Sequence, residues 1–256
     1  MKSFMEMPGV GYASGEVTCK AERTGSGGGF MHVAMGSIRK SANDGVCYII
    51  GAGEIDNPGW FRRQVRPKEK DYLIAADGGF AICDRCGIRV DALIGDFDSL
   101  GYIPDHPNVI RLPQEKDDTD LHYAVKKGLE KGYRTFEIYG AAGGREGHTM
   151  ANYQTLVYLA HEHACGILRS MNVQVTAIDN DTLRLPAYKS GLVSVFCMGD
   201  RADGVTLKGL KYPLSGAVLR NDTPVGVSNE FIGAAAEIAV ADGTLLVMWE
   251  TCGGKK

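Results

Sequence analysis

Asp96 and Asp98 are separated by one residue in Gly95-Asp96-Phe97-Asp98-Ser99. In extended chain, side chains i and i+2 point the same way, so both carboxylates can meet one ligand. Hard oxygen donors in that arrangement suit Mg2+, which proteins usually hold through one or two carboxylates together with substrate phosphates. An isolated Asp-x-Asp reads equally well as a solvated turn, but here three more polar clusters accompany it. Ala76-Asp77-Gly78-Gly79 joins a carboxylate to two glycines. Gln114-Glu115-Lys116-Asp117-Asp118-Thr119-Asp120 carries four acids among the six residues from Glu115 to Asp120. That is more than one helix cap requires, although Asp118 or Thr119 can serve as the cap. Lys116 can face a phosphate, and Asp120 lies one turn from Asp117, so one of the two can face a metal. Gly140-Ala141-Ala142-Gly143-Gly144-Arg145 combines anion-binding backbone N–H groups with a guanidinium suited to phosphate. Acids for Mg2+, with glycines and Arg145 for phosphates, describe phosphoryl or diphosphoryl transfer from a nucleotide.

Three of these clusters follow short apolar runs of strand character, Tyr72–Ala75, Ala92–Ile94 and Thr135–Tyr139. Val46–Ile50 and Val109–Leu112 are runs of the same kind. Leu121, Ala124, Val125, Gly128 and Leu129 mark one face of a helix over Asp118–Lys131, and Met150, Tyr153, Val157 and Ala160 mark another over Thr149–His163. Strands alternating with helices predict an α/β fold with a mostly parallel sheet, which presents its ligands at the strand ends. After about Ser170 the helical pattern stops. Runs such as Val173–Ile178, Leu192–Cys197 and Thr244–Glu250, separated by turn signals such as Asp203-Gly204 and Asp242-Gly243, predict a β-sandwich. The expected organisation is a flexible, glycine-rich extension over 1–44, an α/β catalytic domain over 45–170 and a β-sandwich domain over 171–256.

Two familiar nucleotide loops are missing. No Gly-Lys-Ser/Thr follows Gly143-Gly144, and Gly51-Ala52-Gly53 does not complete G-x-G-x-x-G. The formal charge of −3, from 28 basic and 31 acidic side chains, opposes a general nucleic-acid binder. No run of ~18 apolar residues predicts a membrane span, and no basic start followed by an apolar stretch predicts secretion. Seven scattered cysteines do not form a disulfide framework. Cys83-Asp84-Arg85-Cys86 falls in a stretch read as helix and lacks the second pair that a zinc ribbon needs, so buried thiols in a reducing cytoplasm are expected.

The ordered set Ala76–Gly79, Gly95–Ser99, Lys116–Asp120 and Gly143-Gly144-Arg145 with His148 and Ala151-Asn152 resembles the thiamine pyrophosphokinase family. Lys211-Tyr212-Pro213-Leu214 and Gly226-Val227-Ser228-Asn229-Glu230 extend the resemblance into the β-rich half. It implies a homodimer with active sites between subunits, in which ATP donates a diphosphoryl group to the hydroxyethyl oxygen of thiamine, leaving AMP. By resemblance, Asp96, Asp98 and Asp120 would be catalytic and bind Mg2+. Asp77, Gly78, Gly79, Gln114, Lys116, Asp117, Thr119, Gly143, Gly144 and Arg145 would bind ATP, and Ser228 and Asn229 would contact thiamine across the dimer. Either Asp98 or Asp120 would take the alcohol proton.

One departure stands out. The family motif Gly-Gly-Arg-x-Asp-His reads Gly143-Gly144-Arg145-Glu146-Gly147-His148 here, so Gly147 replaces the aspartate. Either the loop turns Glu146 into the site, or an acidic contact is lost. Trp60 and Trp249 are candidates for an aromatic face, with core packing the plainer reading. Diphosphoryl transfer to another hydroxymethyl heterocycle such as a pterin, a non-catalytic nucleotide- or thiamine-binding module, and an Mg2+-dependent phosphate hydrolase are the alternatives.

Overall fold

A computed structural model describes residues 44–98 and 100–250, together with the backbone of residues 17–19 and 33–35. In chain order the elements are β1 (Val17–Cys19), β2 (Val33–Met35), β3 (Cys47–Ile50), α1 (Pro58–Gln64), β4 (Tyr72–Ala76), α2 (Gly79–Arg85), β5 (Ala92–Gly95), β6 (Val109–Arg111), α3 (Asp120–Glu130), β7 (Thr135–Tyr139), α4 (Glu146–His161) and β8 (Cys165–Arg169). There follow β9 (Val173–Asp179), β10 (Thr182–Leu185), β11 (Leu192–Cys197), β12 (Arg201–Lys208), β13 (Leu214–Arg220), β14 (Asn229–Glu230), β15 (Ala236–Ala239) and β16 (Thr244–Glu250).

Strands β8-β7-β3-β4-β5-β6 run parallel, in that spatial order. Their sequences are almost unbroken apolar runs because helices cover both faces. On one face Leu121, Ala124 and Val125 of α3 and Leu156 and Leu159 of α4 pack over Ile49, Phe136 and Ile138. On the other, Phe61 of α1 and Ile82 and Cys83 of α2 pack over Ile50, Leu73 and Tyr139.

The mixed α/β and antiparallel β architecture agrees with the expected fold class, with one refinement. The two halves share a sheet. After the turn at Ser170, β9 pairs antiparallel with β8, and β16, β11 and β14 continue outward, making ten strands in all. The second sheet, β1-β2-β10-β15-β12-β13, lies over that antiparallel end. Ile167, Ile178, Val193, Val195, Val205, Leu207, Ile238 and Trp249 fill the space between the sheets. β11 alternates buried and more exposed positions, as a strand covered on one side must. The flexible extension expected over 1–44 lies outside the described residues, except that β1 pairs with β2 and β2 pairs with β10. Among the described residues no helix is long and apolar enough to cross a membrane.

Candidate active site

From β3 the chain steps outward through β4, β5 and β6, then returns to β7 on the opposite side of β3. Such a reversal opens a crevice at the carboxyl ends of the strands. The Gly51 amide donates to the Tyr139 carbonyl and the Gly53 amide to the Gly140 carbonyl, both at 2.8 Å, which binds the two lips together. A cavity of about 620 Å³ lies there, bordered by Asp77, Asp96, Asp98, Gln114, Lys116, Thr119, Asp120, Gly143, Gly144 and Arg145.

Local backbone conformation delivers the acids. Phe97 takes φ 61° and buries its ring, leaving Asp96 and Asp98 on either side to face the cleft. Asp77, at φ 47°, donates its amide to the Ile94 carbonyl at 2.8 Å, fixing the end of β4 beside β5. One carboxylate oxygen from each of Asp77, Asp96 and Asp98 lies within 4.8 Å of the others. Asp120 is placed differently. It opens α3 behind Thr119, whose Oγ1 accepts the His122 amide at 3.1 Å. Lys116 Nζ lies 2.8 Å from Asp120 Oδ1 and 3.2 Å from Asp96 Oδ2.

These contacts separate the acidities. Burial alone would raise Asp96, but the Asp98 amide and Lys116 outweigh it and hold its carboxyl below the usual range. At Asp120 burial prevails over Lys116, and the carboxyl is raised. Burial opposes the charge on Lys116, yet its two carboxylate partners raise it, so the ammonium is retained.

The other candidates fall elsewhere. Asp117 is exposed and outside the cavity, whereas its neighbour Asp118 borders it. Asp118 accepts from Lys126 Nζ at 2.7 Å and lies 3.9 Å from His122 Nε2. The 118, 122, 126 spacing, four residues at each step, is the sequence signal that would have singled it out. Gly78 borders a neighbouring cavity of about 450 Å³, and Gly79 is buried at the start of α2. The loop does not turn Glu146 into the cleft. Instead α4 starts at Glu146, three residues earlier than the periodicity predicts, because Arg145 is extended and its carbonyl accepts from both His148 and Thr149. Gly147 is thus helical, with nothing within 4 Å of a Cβ placed there. His148, Thr149 and Asn152 border the cleft, and Asn152 Nδ2 holds the Ala141 carbonyl at 2.7 Å.

Ser228, at φ 59°, is exposed near β14, and its amide donates to Ser194 Oγ at 3.1 Å. Asn229 is buried. Its Oδ1 accepts the Tyr212 and Glu230 amides, both at 2.9 Å, and its Nδ2 donates to the Tyr212 carbonyl at 2.7 Å. Trp249 is a core residue, 1 % exposed, donating to the Tyr188 hydroxyl at 3.1 Å, whereas Trp60 is half-buried against Tyr139. Cys83 and Cys86 are free and buried, and burial pushes the Cys83 thiol up to about 12.

Comparison with known proteins agrees with the sequence motifs over the same regions. The thiamin pyrophosphokinase catalytic-domain family model matches residues 65–168, and the thiamin pyrophosphokinase vitamin B1 binding domain model matches residues 181–245. A thiamine pyrophosphokinase of Bacillus subtilis (strain 168) is 26 % identical over 197 residues, covering 72 % of this chain and 89 % of the relative. The crystal structure of thiamine pyrophosphokinase from Bacillus subtilis superposes with a TM-score of 0.70 at 23 % identity, covering 81 % of this chain and 99 % of that one. That of thiamin pyrophosphokinase from Geobacillus thermodenitrificans gives 0.67 at 24 % identity, covering 81 % and 98 %. With both of the family's domains matched in order, the chain belongs to the thiamin pyrophosphokinase family.

Proposed function

We propose that the thiamin pyrophosphokinase reaction of this family takes place in the cleft at the carboxyl ends of β3–β7. The hydroxyethyl oxygen of thiamine attacks the β-phosphorus of ATP, the bond to the α,β-bridging oxygen breaks, and AMP leaves. The observation that carries this placement is the convergence of Asp77, Asp96 and Asp98 opposite the Gly143-Gly144-Arg145 turn around one cavity.

The donor set, three carboxylates with oxygens close enough to share one ion, fits Mg2+, with Asp77, Asp96 and Asp98 as its holders. When bound, the ion supplies positive charge against the phosphate oxygens. The protein's own groups do the rest. Arg145 and the backbone N–H groups of the Gly143-Gly144 turn bind the phosphate chain, and Lys116 adds a second cation. Asp120, raised by burial, receives the alcohol proton. In-line positioning of the alcohol contributes more than nucleophile strength in such transfers.

The proposed thiamine contact at Ser228 requires a homodimer. β14 stands six strands from β3 in the ten-stranded sheet, or about 29 Å at ~4.8 Å per strand. A second copy can bring its Ser228 to this cleft, while Asn229 holds the Tyr212 loop in place. The vitamin B1 binding match over residues 181–245 favours thiamine over a pterin alcohol. The five described cysteines, all buried thiols, suit a reducing cytoplasm.

The test is incubation with ATP, Mg2+ and thiamine. AMP and thiamine diphosphate are expected in equal amounts. ADP with inorganic phosphate would instead indicate a hydrolase, and binding without AMP a regulatory module.

A further inference from the structure

Helices α3 and α4 carry different parts of the cleft, and a side-chain bridge joins them. Asp120 opens α3, while the Gly143-Gly144-Arg145 turn leads into α4. His122, on α3 just past Asp120, is pinned at both ends. Its amide donates to Thr119 Oγ1 at 3.1 Å, and its ring Nδ1 lies 3.0 Å from Thr155 Oγ1 of α4. The same ring packs on Tyr158 of α4, with centroids 4.8 Å apart.

The bridge continues along α4 toward the phosphate turn. The Thr155 hydroxyl donates to the Ala151 carbonyl at 3.0 Å. Asn152 Nδ2 donates to the Ala141 carbonyl at 2.7 Å, and Thr149 Oγ1 donates to the Gly143 carbonyl at 3.4 Å. Asp120 and the turn are thus linked through His122 and Thr155.

The bridge also fixes a ring proton. A hydroxyl has a single proton, and that of Thr155 goes to the Ala151 carbonyl. The oxygen is left as an acceptor, so Nδ1 carries the proton that completes the 3.0 Å contact. In the opposite assignment the hydroxyl would donate to Nδ1 and forfeit the Ala151 bond, and Thr155, 1 % exposed, has no water to replace it. Nε2–H would then point at Asp118, 3.9 Å away and beyond hydrogen-bond reach.

We propose that His122 is a positioning residue for diphosphoryl transfer, donating Nδ1–H to Thr155 and so holding Asp120 in place relative to the phosphate-binding turn. The inference rests on the reading of Asp120 as acceptor of the alcohol proton. Apolar contact between helices is non-directional, whereas a buried, satisfied hydrogen-bond chain selects one register. Displacement by about 1 Å is enough to slow a positioned reaction substantially.

Two substitutions at residue 122 separate positioning from stability. Asparagine offers an amide nitrogen near the place of Nδ1; leucine has no donor but is the better helix former. His122→Leu should lower kcat about tenfold with both KM values within about twofold of wild type, whereas His122→Asn should keep roughly half of kcat or more. His122→Leu should nevertheless melt no lower than His122→Asn. Thr155→Val should reproduce the loss, Thr155→Ser should not, and His122→Leu/Thr155→Val should cost no more than either change alone. In an Asp120→Asn background, His122→Leu should lower the residual turnover no further. Imidazole 15N NMR at about pH 9, above the titration range of histidine, identifies His122 among the six histidines by the signal that His122→Asn removes. That signal should show the Nδ1–H tautomer. If Thr155→Val does not fold, the residue 122 pair and the tautomer decide. Equal kcat in His122→Asn and His122→Leu, a further loss in the Asp120→Asn background, or an Nε2–H tautomer would overturn the proposal. Failure of the diphosphokinase reading would appear separately, as wild-type protein that forms no AMP from ATP and thiamine.

Discussion

Gly51 and Gly140 face each other at the lips of the cleft so closely that a Cβ on Gly51 would meet the Gly140 carbonyl oxygen at 2.5 Å, and one on Gly140 the Gly51 carbonyl oxygen at 2.6 Å. Both obstacles are backbone and cannot rotate away. Gly140 also takes φ 60°, a region that L side chains enter at a cost of about 1–3 kcal/mol. Gly140→Ala is therefore expected to lower Tm by roughly 5 °C or more and to impair turnover. Gly143→Ala, at φ 81° but with open space around its Cβ, carries the conformational cost without the clash. Thermal melts of both variants should rank Gly140→Ala as the worse.

Asp98→Asn removes one charge from the carboxylate trio without changing its shape. Turnover should fall at least about a hundredfold while the melting temperature stays near wild type. Near-normal AMP formation from this variant would remove Asp98 from the metal assignment.

Restoring a carboxylate at residue 147 is sterically free, since no atom lies within 4 Å of a Cβ there and the position is in the first turn of α4. An acid at a helix N-terminus contributes about 0.3–1 kcal/mol, and aspartate is the better helix former than glycine. Gly147→Asp should raise Tm by roughly 1–4 °C and retain at least wild-type turnover. Calorimetry and an AMP assay measure the two effects; a lower Tm would contradict the helical placement.

The five described cysteines should resist alkylation in the folded protein. Burial raises Cys83 to about 12, so at pH 8 only about one thiol in ten thousand is ionised there. Cys47, fully buried, is raised further. Iodoacetamide labelling at pH 8, mapped by mass spectrometry, should leave Cys47, Cys83, Cys86, Cys165 and Cys197 unmodified until denaturant is added. Rapid native-state labelling of Cys83 or Cys86 would reopen a redox role for that pair.

If the thiamine contact crosses a dimer, two inactive variants should rescue each other. Asp98→Asn and a Ser228→Trp chain, each mixed after dissociation, should form hybrids with one intact site and recover about a quarter of wild-type activity under random pairing. Mixtures no more active than their components, despite confirmed exchange, would place both residues in a site within one chain.

Much of the cleft was legible because its parts are local. Tyr72–Ala75, Ala92–Ile94 and Thr135–Tyr139 read as strands from their own residues, and a parallel sheet puts whatever follows them at one edge. Cys83-x-x-Cys86 read correctly as helix thiols for the same reason. The start of α4 was misplaced by three residues, since the apolar pattern begins at Met150 whereas the helix is set by the Arg145 carbonyl. Trp60 carried no local sign of its neighbours. Its ring partner Tyr139 is about eighty residues away, and only the placement of α1 over β7 brings the two close.

The sequence by itself determined the fold class, the strand-end clusters and the family, because period, turn chemistry and ordered motifs are properties of short segments. Tertiary structure alone decided that Asp77 rather than Asp120 completes the carboxylate trio, and that Asp118 rather than Asp117 borders the cleft. It also decided that the two halves share one sheet, which holds Ser228 far from the acids of its own chain. The physical reason is common to all three. Strand order and the rotation of a helix on its sheet are chosen by the burial of residues distant in sequence, and no local pattern records that choice.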